Sequence, residues 1–277
     1  MQAKVSVQGN IVEVTWIDYR NGKCRAVKLD GAHWIDPDTG EIHDYQRESS
    51  TRTENKQELL NTFAKIRALI NTNCRDPKRI RWITLTYREN MTDTKRLHND
   101  FRKFWARFKR RWGFAEYISV IEPQQRGAWH VHLIVIWSHV APFVPNAELR
   151  ACWGHGFVKV NAVRDDVDNL GAYLSAYLAD VEVPAGADGT DKVVNGETKR
   201  YKKNGRLDMY PAGMNIYRCS RGVKRPDEFW AEDVESTARY VELVEGRTPV
   251  YEREIVFRDD EGREHRVFKQ QYNLLRG

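Results

Sequence analysis

Cysteine is scarce and scattered in this chain of 277 residues: Cys24, Cys74, Cys152 and Cys219 stand far apart with no C-x-x-C pair. That spacing argues against a disulfide framework and against a cysteine-based zinc site, and it predicts reduced thiols. Long apolar runs are missing too. No stretch approaches the ~18 consecutive apolar residues of a membrane span, and the opening MQAKVSVQGN lacks the charged-then-apolar pattern of a secretory signal. A cytoplasmic protein is the expectation. No internal repeat and no low-complexity tract interrupts the sequence, whose length allows one large or two modest domains.

Positive charge is present and unevenly placed. Thirteen Lys and Arg stand against four Asp and Glu between Arg75 and Arg111, and nine against one between Lys199 and Arg225. Since the net charge is only +6, the remainder of the chain is acidic. Two basic segments in an acidic chain fit a polyanion binder, because each cation set on a phosphate releases counterions. Ordinary solvated helix faces would look the same.

The pattern along the chain divides it into an accessory segment over 1–75, a central unit over 76–182 and a third segment over 183–277. The first opens with a β-hairpin around Gly9-Asn10 and continues through a linker at 47–53 into a helix over 54–71, with Leu59, Leu60, Phe63, Ile66 and Ile70 at helical spacing. The central unit reads strand (81–87), helix, strand (116–122), strand (129–137), helix (146–153), strand (157–163), helix (165–179). That order predicts an α+β fold with a mostly antiparallel sheet. Asn90 to Asp93 offer N-caps for its first helix, whose stripe of Leu97, Phe101, Phe104, Phe108 and Trp112 is closed by Gly113. The opposite face of that helix is basic. Residues 183–196, rich in Gly, Ala and Asp, read as a flexible loop, and two charged strands are expected within 251–272.

Three features of the central unit carry chemistry. His130 and His132 lie two apart in a strand, so alternation puts both imidazoles on one face about 7 Å apart along the strand. Glu122 stands across a turn on the neighbouring strand and, in suitable register, joins them to make two nitrogens and one oxygen. Such a set with open positions suits Mg²⁺ or Mn²⁺ acting on a phosphate oxygen better than a closed zinc site. Each residue also has a plainer reading, with the histidines packing in the sheet and Glu122 capping the turn or pairing with Arg126. Tyr173 and Tyr177, spaced i, i+4, put two phenols on one helical face. A phenolate attacks a phosphodiester when a cation polarises a non-bridging oxygen.

Trp82-Ile-Thr-Leu-Thr86, then Glu122 with Arg126-Gly-Ala-Trp-His-Val-His132, then Tyr173-x-x-x-Tyr177 resemble in order the motifs of the HUH endonucleases, and within them the two-tyrosine rolling-circle replication initiators of plasmids and phages. The likeness covers residues 78–180, with a looser echo in Trp153-Gly-His-Gly-Phe157 and in 218–226. It implies an HUH nuclease fold in which Glu122, His130 and His132 bind the metal and Tyr173 and Tyr177 attack DNA. It further implies single-stranded or hairpin origin DNA as substrate, a host helicase and polymerase as partners, and the cytoplasm of a bacterial host. Transposases and relaxases share this chemistry, but relaxases usually carry a third histidine where Glu122 stands. A different class, a non-catalytic single-strand binding module, would use the histidines structurally. One departure stands out: the lysines usual three residues after each tyrosine are here Ala176 and Asp180. Arg126, Lys199, Arg200, Lys202 and Lys203 are the candidates for that charge, and Thr84 and Thr86 for lining the DNA site. Tyr201, Tyr210 and Tyr217, among basic residues, suit base stacking or folding.

Overall fold

The computed structural model describes residues 2–18, 27–29, 33–35, 41–44, 56–124, 127–163, 169–172, 181–183, 188–194, 197–202, 210, 214–258 and 262–276. Its elements in chain order begin with the hairpin β1 (Gln2–Gln8) and β2 (Ile11–Ile17), then β3 (Val27–Lys28), β4 (His33–Ile35), β5 (Ile42–Asp44) and α1 (Lys56–Asn73). The central unit follows as β6 (Ile80–Thr86), α2 (Thr94–Trp112), β7 (Glu116–Pro123), β8 (Trp129–Ile136), α3 (Asn146–Trp153) and β9 (Val158–Ala162). Beyond it come β10 (Val181–Val183), β11 (Thr190–Val194), β12 (Glu197–Lys202), β13 (Tyr217–Cys219), β14 (Asp227–Ala231), α4 (Val234–Val244), β15 (Tyr251–Arg258) and β16 (Glu264–Asn273). The fold is α+β, as the sequence pattern predicts.

The central sheet runs β13-β7-β8-β6-β9 with every pairing antiparallel. Both of its faces are covered, which is why β8 reads as an almost unbroken apolar run rather than a clean alternation. On one face Ile83, Leu85, Ile121, Val131, Leu133 and Val135 pack against the aromatic stripe of α2 and against α3. On the other, Ile80, Trp82, Ile118, Val120 and Ile134 pack against Leu59, Phe63, Ile66, Leu69 and Ile70 of α1. The limits of α2 follow from its ends. Asp93 accepts hydrogen bonds from the Lys95 and Arg96 amides at 2.8 and 3.1 Å, and Gly113, at φ +83°, closes the helix in a conformation that favours glycine.

A second five-stranded antiparallel sheet, β14-β1-β2-β16-β15, joins strands near the two ends of the chain. Its apolar face, with Ala3, Val5, Val12, Val14 and Tyr272, is covered by Tyr240, Leu243 and Val244 of α4. Its polar face turns toward α1, where Arg67 pairs with Glu13 at 2.9 Å. Helix α4 is absent from the sequence reading, although Asp233 and Ser236 form a reciprocal capping box at its start.

One expectation is corrected. The segment 183–196, read as a flexible loop, includes the end of β10 and all of β11, and β12 pairs with both. Composition misled here: Thr190 to Val194 and Glu197 to Lys202 flank Asn195-Gly196, the strongest short hairpin signal in sequence, and the register Val194 opposite Glu197 leaves those two residues as the connection.

Candidate metal centre and nucleic-acid face

The register of three strands builds the centre. Glu122 of β7 stands directly opposite His130 of β8, and on the other side of β8 Thr86 and Thr84 of β6 stand opposite His130 and His132. Directly opposed residues on one face bring their Cβ atoms within about 5.5 Å, so the pairing alone gathers five polar side chains. The β7–β8 connection keeps that register: the Gln124 amide donates to Ala128 O and the Gly127 amide to Gln124 O, both at 2.8 Å, with Gly127 at φ +86°.

One ligand atom from each of Glu122, His130 and His132 lies within 4.8 Å of the other two. Donors about 2.1 Å from a shared cation stand no more than about twice that apart, so the cluster closes on one ion with little adjustment. Glu122 and His132 are buried and in direct contact through Oε2 and Nε2, while His130 is half-exposed at the outer edge. Burial pushes the His132 imidazole down to about 4, so its ring is neutral at ordinary pH, the form that ligates a cation. Thr84 Oγ1 lies 3.4 Å from His132 Nδ1, leaving Nε2 for the centre. Two imidazole nitrogens and a carboxylate oxygen fit a divalent metal, and the half-exposed side leaves room for an incoming oxygen.

Thr86 is braced from the far side. Its amide donates to Phe157 O at 2.9 Å, its hydroxyl to the same oxygen at 3.0 Å, and the Trp153 indole N–H donates to Thr86 O at 2.7 Å. Gly156 permits this approach, since a Cβ there would stand 2.5 Å from Thr86 O. The Trp153-Gly-His-Gly-Phe157 motif therefore acts as a buttress for the strand beside His130. The same alternation places exposed Lys159 of β9 opposite Thr84, on the face of the triad. Sequence reasoning missed this cation, which the period-2 pattern of β9 would have put there.

The approach to the two tyrosines lies on that face too. Residues 170–172 are helical, and Leu170 is buried in the cluster that holds Val120, Ile134 and α1. The Gly171 amide donates to Asn71 Oδ1 at 2.7 Å, Asn71 Nδ2 donates to Asn169 Oδ1 at 3.2 Å, and Asn169 Oδ1 caps the Ala172 amide at 3.0 Å. A Cβ on Gly171 would collide with the Arg67 carbonyl and the Asn71 side chain. Asn169 also donates to Gln271 of β16 at 3.2 Å, so the second sheet shares in holding the segment.

Of the expected site residues, Glu122, His130, His132, Thr84 and Thr86 are brought together. Tyr173, Tyr177, Arg126 and Lys203 lie outside the described residues. On β12, Arg200 is 3.4 Å from Asp191, Lys202 is exposed, and only the backbone of Lys199 is described. Tyr210 is buried in the core under α1 and Tyr217 is packed beside it, which fits folding rather than stacking on bases.

Residues 80–182 match the family model of replication-associated proteins of the ORF2 type. The matched stretch opens at the first residue of β6 and closes within β10, so it contains the triad and both tyrosines. That match is consistent with a role in starting replication. No curated protein and no solved structure matches the chain. Among the described residues no helix is long and apolar enough to cross a membrane.

Proposed function

We propose that the chain nicks and rejoins single-stranded DNA at a replication origin by HUH chemistry, initiating rolling-circle replication. The observation that carries this reading is the convergence of Glu122, His130 and His132 on the same sheet face to which residues 169–172, just ahead of Tyr173, are pinned. The family match over residues 80–182 supports the replication setting.

In this reading Glu122, His130 and His132 hold a divalent cation, Mg²⁺ or Mn²⁺, which when bound polarises a non-bridging phosphate oxygen. The Tyr173 phenolic oxygen attacks the phosphorus and gives up its proton. The P–O3′ bond breaks, the 3′ oxygen takes a proton to become a hydroxyl that a polymerase extends, and the 5′ phosphate stays on the tyrosine. Attack by Tyr177 or by a freed 3′ hydroxyl resolves the link later. Bond energy is conserved in the phosphotyrosine, so no ATP is needed. Thr86 and Lys159 flank the centre where the strand would lie. The host helicase and polymerase supply unwinding and synthesis.

A labelled pool of single-stranded and hairpin oligonucleotides, incubated with and without Mn²⁺ or Mg²⁺ and run on a denaturing gel, tests this. A labelled protein band that requires metal and disappears in the Tyr173→Phe/Tyr177→Phe double variant is expected. Metal binding with no adduct on hairpin and linear pools, or an adduct that persists in the double variant, would overturn the tyrosine mechanism. Within the pair we assign first attack to Tyr173, and undiminished nicking by Tyr173→Phe alone would reverse that assignment.

A further inference from the structure

The side of the central sheet away from the triad carries a second concentration of charge. Helix α2 spans 19 residues, about 28 Å, and packs against the face formed by Ile83, Leu85, Ile121, Val131, Leu133 and Val135. The triad and its threonines point from the other face. Cations on the outer surface of α2 therefore cannot reach a phosphate held at the metal centre.

That outer surface is uniformly positive. Lys95, Arg102 and Lys109 recur every seven residues, as do Arg96, Lys103 and Arg110. A seven-residue step drifts by only about 20° around a helix and advances about 10 Å, so these make two adjacent rows along one face. The only acidic residue of the helix, Asp100, is buried and accepts a hydrogen bond from the Tyr87 hydroxyl at 3.0 Å. Arg96 pairs with Glu89 and Arg111 with Glu148, each at 2.6 Å, and Arg107 donates to the Cys152 carbonyl. Lys95, Arg102, Lys103, Lys109 and Arg110 have no carboxylate within 4.0 Å among the described residues. Exposed Arg218, on edge strand β13, adds to this side: with burial, its guanidinium holds His98 of α2 below the ordinary histidine value.

The occupant follows from what the surface offers and withholds. All five aromatic side chains of α2, Phe101, Phe104, Trp105, Phe108 and Trp112, are buried. Unpaired bases would find no stacking partner on the helix, whereas a regular row of phosphates would find regularly spaced cations along its length. We propose that the outer face of α2 is a docking surface for the backbone of duplex DNA, separate from the metal centre. Resting on the reading of the protein as an origin nickase, the surface would hold paired DNA beside the nick site. It contacts backbone and so discriminates little by sequence.

The test measures binding alone, in EDTA, so it is scored apart from the nicking reaction. Fluorescence anisotropy compares the full chain with Arg102→Gln/Lys103→Gln/Lys109→Gln/Arg110→Gln on a labelled mixed-sequence 20-base-pair duplex from 50 to 300 mM salt. The variant should bind at least tenfold more weakly at about 100 mM salt, and the slope of log K against log salt should shrink by about 3 to 4, near 0.9 per lost contact. The charge-keeping variant R102K/K103R/K109R/R110K should retain the duplex affinity, which separates charge from folding. His130→Ala/His132→Ala should retain it as well, even though it abolishes metal binding. Unchanged affinity and slope in the glutamine variant would overturn the proposal. So would an equal loss for a single strand of the same length, or competition by polyglutamate as effective as by duplex, since either makes the face a general polyanion surface.

Discussion

Thr84 Oγ1 sits 3.4 Å from His132 Nδ1, directly across the β6–β8 register, while the opposite nitrogen of the same ring touches Glu122. The hydroxyl thereby sets which nitrogen of the buried imidazole faces the other two ligands. Partners of this kind commonly affect metal affinity by 10- to 100-fold. Thr84→Val keeps the shape and removes the hydroxyl. Isothermal titration with Mn²⁺ should show roughly tenfold weaker binding, with the unfolding midpoint nearly unchanged; equal affinity would mean that Thr84 does not orient the ring.

Burial holds His132 at about 4, whereas the unfolded chain takes up that proton near the ordinary histidine value of about 6.5. Between those values the unfolded state binds more protons than the folded one. Stability of the metal-free protein should therefore rise with pH across that window, by at most about 1.4 kcal/mol per unit from this group, and level off above it. Urea titrations from pH 4.5 to 7.5 check the slope. His132→Gln should flatten it, and an unaltered slope in that variant would place the titrating group elsewhere.

Asn71 holds the segment leading to Tyr173 through its contacts with the Gly171 amide and with Asn169. Asn71→Ala leaves a buried amide unsatisfied, a cost of about 1–3 kcal/mol. The expected signature is a split: Mn²⁺ affinity unchanged, rate of covalent adduct formation down by tenfold or more. Parallel losses in both would show that Asn71 supports the whole face rather than the tyrosine segment.

Cys74 is buried at the end of α1, and desolvation pushes its thiol well above the ordinary range. A thiol held protonated alkylates slowly. Mass spectrometry after iodoacetamide treatment at pH 8 should find Cys74 unmodified in the native protein and fully modified in urea. Rapid native labelling would contradict the packing of α1 on the sheet.

What was legible in the sequence was local or periodic. Alternation in β8 put His130 and His132 on one face, and a short hairpin gave Glu122 its place beside them; helical spacing and the Asp93 and Gly113 ends delimited α2. What escaped was non-local. Nothing in the first twenty residues says that β2 will pair with β16, because their polar and apolar positions suit many partners equally well. The same holds for Asn71, Asn169 and Gln271, whose roles exist only once α1, the tyrosine segment and the second sheet meet. The loop expected at 183–196 failed for a simpler reason, since small and acidic residues outweighed a hairpin dipeptide. Tyr173 and Tyr177 rest on the spacing and the resemblance.

The pairing of β2 with β16 also sets an order of events during synthesis. The hairpin of β1 and β2 leaves the ribosome first, yet Val12 and Val14 gain their neighbours on β16 only after some 250 further residues have been made. Until then the hairpin offers open strand edges, the feature most prone to wrong pairing. The triad needs only β6, β7 and β8, so the metal ligands can assemble well before Gln271 arrives to brace the approach to the tyrosines. A nascent chain of this protein would thus acquire its cation site early and its braced nucleophile segment late, a sequence that withholds strand cleavage from unfinished copies.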